Sequence, residues 1–143
     1  MEYTLAKRLG YSNNQIIYNG PNKGEKMTEH LLLGGILNID NLQEVDRVCT
    51  IAEANKTKQF NVGIRVNIDV GQNFISRFGL EAEGPEFKDA FRKLNAISNI
   101  KIVGLHCHIS RSRGAEAWRK RTETMLALAD TYIIGPPQYI NLG

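Results

Sequence analysis

Five short runs rich in β-branched and aromatic residues recur along the chain, and no Asn-Gly, Asp-Gly or similar two-residue turn joins any neighbouring pair. The runs are Gln15 to Gly20, Gly35 to Asp40, Phe60 to Ile68, Ile100 to Ile109 and Tyr139 to Gly143. Antiparallel neighbours can be linked by a tight hairpin, whereas parallel neighbours need a crossover that carries the chain back to the same end of the sheet. The spacers here change the apolar period from 2 to about 3.6, so they read as helices. Strand and helix in alternation give an α/β fold with a parallel sheet and right-handed crossovers. Two architectures fit that pattern, a five-stranded doubly wound sheet and a piece of a (β/α)8 barrel, which in full takes about 250 residues. Spacing does not choose between them.

The helical spacers carry distinct stripes. Leu42, Val45, Cys49 and Ala52 share one face after Asp40 and Asn41, both plausible caps, and Phe87, Ala90, Phe91 and Leu94 do so after Gly84 and Pro85. The longest helix shows Trp118, Met125, Ala129 and Tyr132 on one stripe, with its Arg and Lys residues mostly elsewhere. Met27 and Leu31 mark a shorter helix, and Leu5, Ala6 and Leu9 a first one. Asp69 to Gly84 reads as one long βα loop, the kind of segment on which α/β proteins place function.

At 143 residues, 42% of them hydrophobic, the chain is of domain size and can enclose a core. Cys49 and Cys107 are the only cysteines, too few for a disulfide framework or a four-cysteine zinc site, and a reducing, cytoplasmic setting is expected. No apolar run approaches the roughly 20 residues of a membrane span. Arg111, Arg113, Arg119, Lys120 and Arg121 cluster, but against a net charge of only +3 they read as a solvated helix face. Neither nucleic acid nor membrane is expected as a partner.

Gly104-Leu105-His106-Cys107-His108-Ile109 is the most informative stretch. Alternation along a strand puts His106 and His108 on one face and Cys107 on the other, with His108 nearer the C-terminal end where parallel sheets hold ligands. A pair of hydrogen-bonded core histidines explains the pattern equally well. A zinc site would need a third ligand, and the remaining histidine, His30, belongs to another helix, so no metal site is expected. Arg65 interrupts an apolar strand and requires an anion, either a protein carboxylate or a cofactor. Ser76-Arg77-Phe78-Gly79 closes the long loop with a second arginine, and Asn141-Leu142-Gly143 ends a strand on a glycine, the usual start of a phosphate-cradling turn.

Taken in order, Ile16 to Lys23, Leu37-Asn38-Ile39-Asp40, Arg65-Val66-Asn67, Ser76 to Gly79, Gly104 to Ile109 and Tyr139 to Gly143 resemble the fold-type III pyridoxal-phosphate (PLP) enzymes. The resemblance is to the diaminopimelate, ornithine and arginine decarboxylase group, whose barrel is shared with alanine racemase. It implies a partial (β/α)8 barrel of about five parallel strands, the third to the seventh, in sequential order and curved, with helices on the outer face only. Residues 1–143 would then be an internal piece of the PLP-binding barrel domain, without the C-terminal β domain.

The same resemblance implies the site. His108 would stack on the pyridine ring, Arg65 and Arg77 would lie beside the cofactor, and Gly143 would begin the turn holding its phosphate. The family follows its His-x-His-Ile with Gly-Ser, where this sequence has Ser110 and Arg111, so Arg111 would pair with the phosphate directly. The family's Schiff-base lysine, in a Tyr-x-x-Lys-x-Asn motif, has no counterpart here, so no catalytic residue is assigned within these residues. The implied function is a segment of a PLP-dependent decarboxylase acting on an amino acid, inactive alone and homodimeric when complete. A racemase of the same fold and a non-catalytic PLP-binding relative are the alternatives. His106, His108, Arg65 and Asn67 should project to the inner or C-terminal face, and Cys107 and Val66 toward the helices.

Overall fold

A computed structural model describes residues 2–70, 76–109 and 114–143. In chain order the elements are α1 (Glu2–Arg8), β1 (Ile17–Tyr18), α2 (Lys26–Leu32), β2 (Ile36–Ile39), α3 (Leu42–Ala54) and β3 (Phe60–Asn67). There follow β4 (Leu80–Glu81), α4 (Pro85–Asn95), β5 (Ile100–His106), α5 (Ala115–Tyr132) and β6 (Tyr139–Asn141). Local chemistry sets several boundaries: Asn41 caps α3 by accepting the Glu44 N–H at 3.0 Å, and α4 opens with Pro85, whose missing N–H costs nothing at that position.

The main sheet runs β1-β2-β3-β5-β6, every pair parallel, in sequential order. Its outward face carries Leu37, Ile39, Val62, Ile64, Val66, Leu105 and Cys107, all buried in one core with Val45 and Val48 of α3, Phe87 and Leu94 of α4, and Met125 and Ala129 of α5. Phe87, Phe91 and Tyr132 form an aromatic triangle with centroids 4.8 to 5.1 Å apart that ties α4 to α5. Fully burying each large apolar side chain contributes roughly 1.5–3 kcal/mol.

The opposite face is polar and concave. Tyr139 of β6 donates its hydroxyl to Asn38 of β2, and the strands between them, β5 and β3, contribute Gly104 and Gly63 beneath the ring. Three strand spacings amount to roughly 14 Å in a flat sheet, more than these two side chains can bridge, so the sheet is curled. A Cβ on Gly63 would stand 2.0 Å from the Tyr139 hydroxyl, and one on Gly104 would stand 2.5 Å from the ring. The two glycines give up side chains so that one tyrosine can cross the hollow. A bulge between Val62 and Gly63 brings Gly63 level with Gly104. The result is a curled parallel half-barrel with its helices on the convex side, as expected of a partial (β/α)8 barrel.

Three expectations need correction. The segment Asp69 to Gly84 is not unbroken loop: β4 adds to the end of β3 by pairing Leu80 with Val66 and Glu81 with Asn67. In α1 the buried residue is Tyr3, stacked on Tyr18 at 5.2 Å, while Leu5 and Leu9 are exposed. The buried face of α5 contains Arg121, at 2% exposure, whereas Trp118 is 38% exposed.

Candidate functional site

One layer of polar side chains crosses the hollow at the C-terminal end of the strands. Arg65 is level with His106, and His106 with Asn141, while Asp40 follows Ile39, the partner of Ile64. That register sets Asp40 beside Arg65, and its carboxylate accepts from Arg65 Nη1 at 2.9 Å, both groups buried. Of the two anions open to Arg65 on sequence grounds, the structure supplies the protein carboxylate. His106 is buried as well; burial first, then the charge of Arg65, pushes its pKa to about 4. It is neutral at pH 7, and its Nδ1 has no hydrogen-bond partner among the described residues.

A second buried pair supports this layer from the side. Lys23 Nζ donates to Glu44 Oε2 at 2.6 Å and to the Gly20 carbonyl at 2.6 Å, and the same Glu44 oxygen accepts the Asp40 N–H at 2.9 Å. Burial lowers the Lys23 pKa and raises that of Glu44, and the opposite charge of each partner works against its shift. One layer below, burial pushes the Tyr139 hydroxyl upward, so it stays a donor. Asn38 passes the chain of bonds on, donating to Asn19 Oδ1 at 2.5 Å.

At the rim, His108 lies past the end of β5, exposed, and against Gly143 just past β6. Gly143 has φ +92°, and a Cβ there would stand 2.8 Å from the Cys107 carbonyl and 2.9 Å from His108 Nδ1, so only glycine fits. Its N–H donates to Asn141 Oδ1 at 2.9 Å. Cys107 faces the helices, as Val66 does, and burial raises its thiol to about 11, which makes it a packing residue.

The returning loop meets β3 at Asn67, whose side chain donates to the Ser76 carbonyl at 2.5 Å, and at Gly79, whose φ of +82° lets it lie against the Arg65 backbone. Phe78 stands between the two arginines, 5.1 Å from Arg65 Cζ and 4.9 Å from Arg77 Cζ. Arg77 itself is exposed. Arg111 lies outside the described residues. The structure thus groups Arg65 with His106, His108 with Gly143, and Arg77 with Phe78.

Sequence reasoning assigned no site role to Asp40, read as a cap and as part of a family motif, nor to Glu44, Lys23, Tyr139 and Arg121. For Asp40 the signal was available: once β2 and β3 are neighbours, the residue after Ile39 falls beside Arg65. Arg121 had none, since its neighbours in sequence are exposed cations.

A curled parallel sheet, outer helices and a polar layer at the strand C-termini define a barrel-type α/β domain. The family model described as pyridoxal-dependent decarboxylase, pyridoxal binding domain, matches residues 1–132, and the chain belongs to that family. A diaminopimelate decarboxylase of Aquifex aeolicus is 30% identical over 142 residues, 91% of this chain and 33% of that one. The Staphylococcus aureus enzyme of the same name is 30% identical over 138 residues, 87% of this chain and 32% of that one. This chain spans about a third of the length of these relatives. Among solved structures, diaminopimelate decarboxylase from M. jannaschii in complex with L-lysine superposes with a TM-score of 0.79 at 22% identity, covering 99% of this chain and 36% of that one. Alanine racemase from Corynebacterium glutamicum gives 0.63 at 16% identity, with 92% and 35% covered. At such identities these two likenesses concern the fold.

The residues present fit part of a pyridoxal phosphate. His108 offers a flat ring at the rim, Gly143 a backbone N–H in a place closed to any Cβ, and His106 a buried, neutral ring nitrogen without a partner among the described residues. Lys23, whose side chain is fully buried, is held by Glu44 and Gly20 and is not free to carry it.

Proposed function

We propose that these residues form the middle of the PLP-binding barrel of an amino-acid decarboxylase of the diaminopimelate type. The carrying observation is the contact of His108 with Gly143 at the C-terminal rim, because it joins a flat ring and an anion-receptive turn on adjacent strands. When bound, PLP supplies an electron sink for the pair left on Cα as the carboxylate departs. His108 covers one ring face and keeps water from it. Gly143 would offer its N–H to the phosphate, and Arg111, as the family resemblance implies, would be its charged partner. Arg65 is fixed by Asp40, which balances its charge, and Arg77, leaning on Phe78, keeps the surroundings of the ring positive. His106 stays neutral and adds no charge of its own. The complete enzyme takes an amino-acid substrate and works as a homodimer. The shared name of the relatives favours decarboxylation over racemisation.

The test is a chimera in which residues 1–143 replace the matching third of a diaminopimelate decarboxylase. It should bind PLP and release carbon dioxide from diaminopimelate, and His108→Ala should slow it. A chimera that folds and binds PLP but racemises its substrate, or leaves it unchanged, would refute the decarboxylase reading.

A further inference from the structure

Arg121 is 2% exposed, yet it forms a single hydrogen bond among the described residues, from Nη1 to the Leu142 carbonyl at 3.0 Å. Its Nε and Nη2 have no partner there. Its Cζ lies 4.2 Å over the Trp118 ring, one turn closer to the start of α5. A buried guanidinium with open donors is unfavourable, and an apolar side chain of similar volume would be neutral or stabilising in its place. Stability does not account for this residue.

Its position does. Helical side chains lean toward the helix N-terminus, so α5 carries the guanidinium to the rim where β6 ends. In a trans peptide the C=O and N–H point in opposite directions. Arg121 holds the Leu142 oxygen on the helix side, with the Cys107 thiol at 3.8 Å as a weaker second donor. The N–H of Gly143 is thereby turned to the concave side, where Asn141 Oδ1 accepts it at 2.9 Å. Asn141 is level with His106 in the sheet.

We propose that Arg121 is a positioning residue for the phosphate end of the cofactor. It fixes the Leu142–Gly143 peptide so that the Gly143 N–H faces the ligand, Asn141 Oδ1 being the acceptor a phosphate oxygen displaces, and it sets a positive charge behind that turn. The inference rests on the PLP reading above.

Pyridoxine 5′-phosphate and pyridoxine, which differ only in the phosphate and cannot react with lysines, are titrated into the chain while the Gly143 amide is followed by 15N NMR. The wild-type chain should prefer the phosphorylated probe by about tenfold or more, the worth of one charge-assisted hydrogen bond, and the Gly143 amide should shift. Arg121→Met should abolish the preference with melting temperature unchanged or raised, and Arg121→Lys should restore part of it. No preference in the wild type would sink the cofactor reading itself. A full preference retained in Arg121→Met would overturn only the role of Arg121, and so would loss of the fold in that variant, which would assign the arginine to stability.

Discussion

Arg65 of β3 and Asp40 at the end of β2 form a buried ion pair, 2.9 Å from nitrogen to oxygen, and through it the polar layer of the hollow is locked across two strands. Removing one partner leaves the other charged and buried. Asp40→Leu or Arg65→Met alone should therefore cost about 3–5 kcal/mol in urea unfolding at pH 7. The double variant should recover most of that loss. Additive losses in the double variant would show that the two groups do not depend on one another.

His106 gives the chain a defined acid sensitivity. Its folded pKa of about 4 lies below the ordinary 6.5, so between those values the unfolded state binds a proton that the folded state refuses. Stability from this group is complete above about pH 6.5 and is lost as pH falls toward 4, at no more than about 1.4 kcal/mol per pH unit. His30 is also lowered by burial and acts in the same direction, so the measurement is the difference in slope between wild type and His106→Gln. Equal slopes would place the His106 ring in solvent.

The crossing of Tyr139 over two glycines makes a packing prediction. Gly63→Ala would put a Cβ 2.0 Å from the Tyr139 hydroxyl and 2.1 Å from Asn38 Oδ1, which cannot be absorbed without moving one strand. Gly63→Ala should cost about 1–3 kcal/mol, and it should cost less in a Tyr139→Ala background, so that the double variant loses less than the sum of the two single losses. Independent effects would mean that the tyrosine does not cross the sheet.

How far the sequence could be read follows from the range of each interaction. Parallel order, the helix stripes and the opposed faces of His106 and Cys107 depend on local periodicity, and residues such as Val66 and Cys107 could be oriented from their neighbours alone. The Arg65–Asp40 pair lies 25 positions apart in sequence and needs strand order as well as register. Tyr139 and Asn38 are 101 apart, and their contact depends on the curl of the sheet, which alternation does not encode. β4 escaped notice because two residues carry no period. Arg121 escaped because a buried cation looks like an exposed one until its surroundings are known.

The central claim is that the rim between β5 and β6 receives the cofactor ring beneath His108, with Gly143 at the phosphate. Intermolecular nuclear Overhauser contacts between pyridoxine 5′-phosphate and the isotopically labelled chain test it most directly. Cross-peaks should join the pyridine ring and its methyl group to the imidazole protons of His108, together with a phosphate-dependent shift of the Gly143 amide. Cross-peaks confined to other residues, or a bound ligand that leaves His108 and Gly143 unchanged, would contradict it.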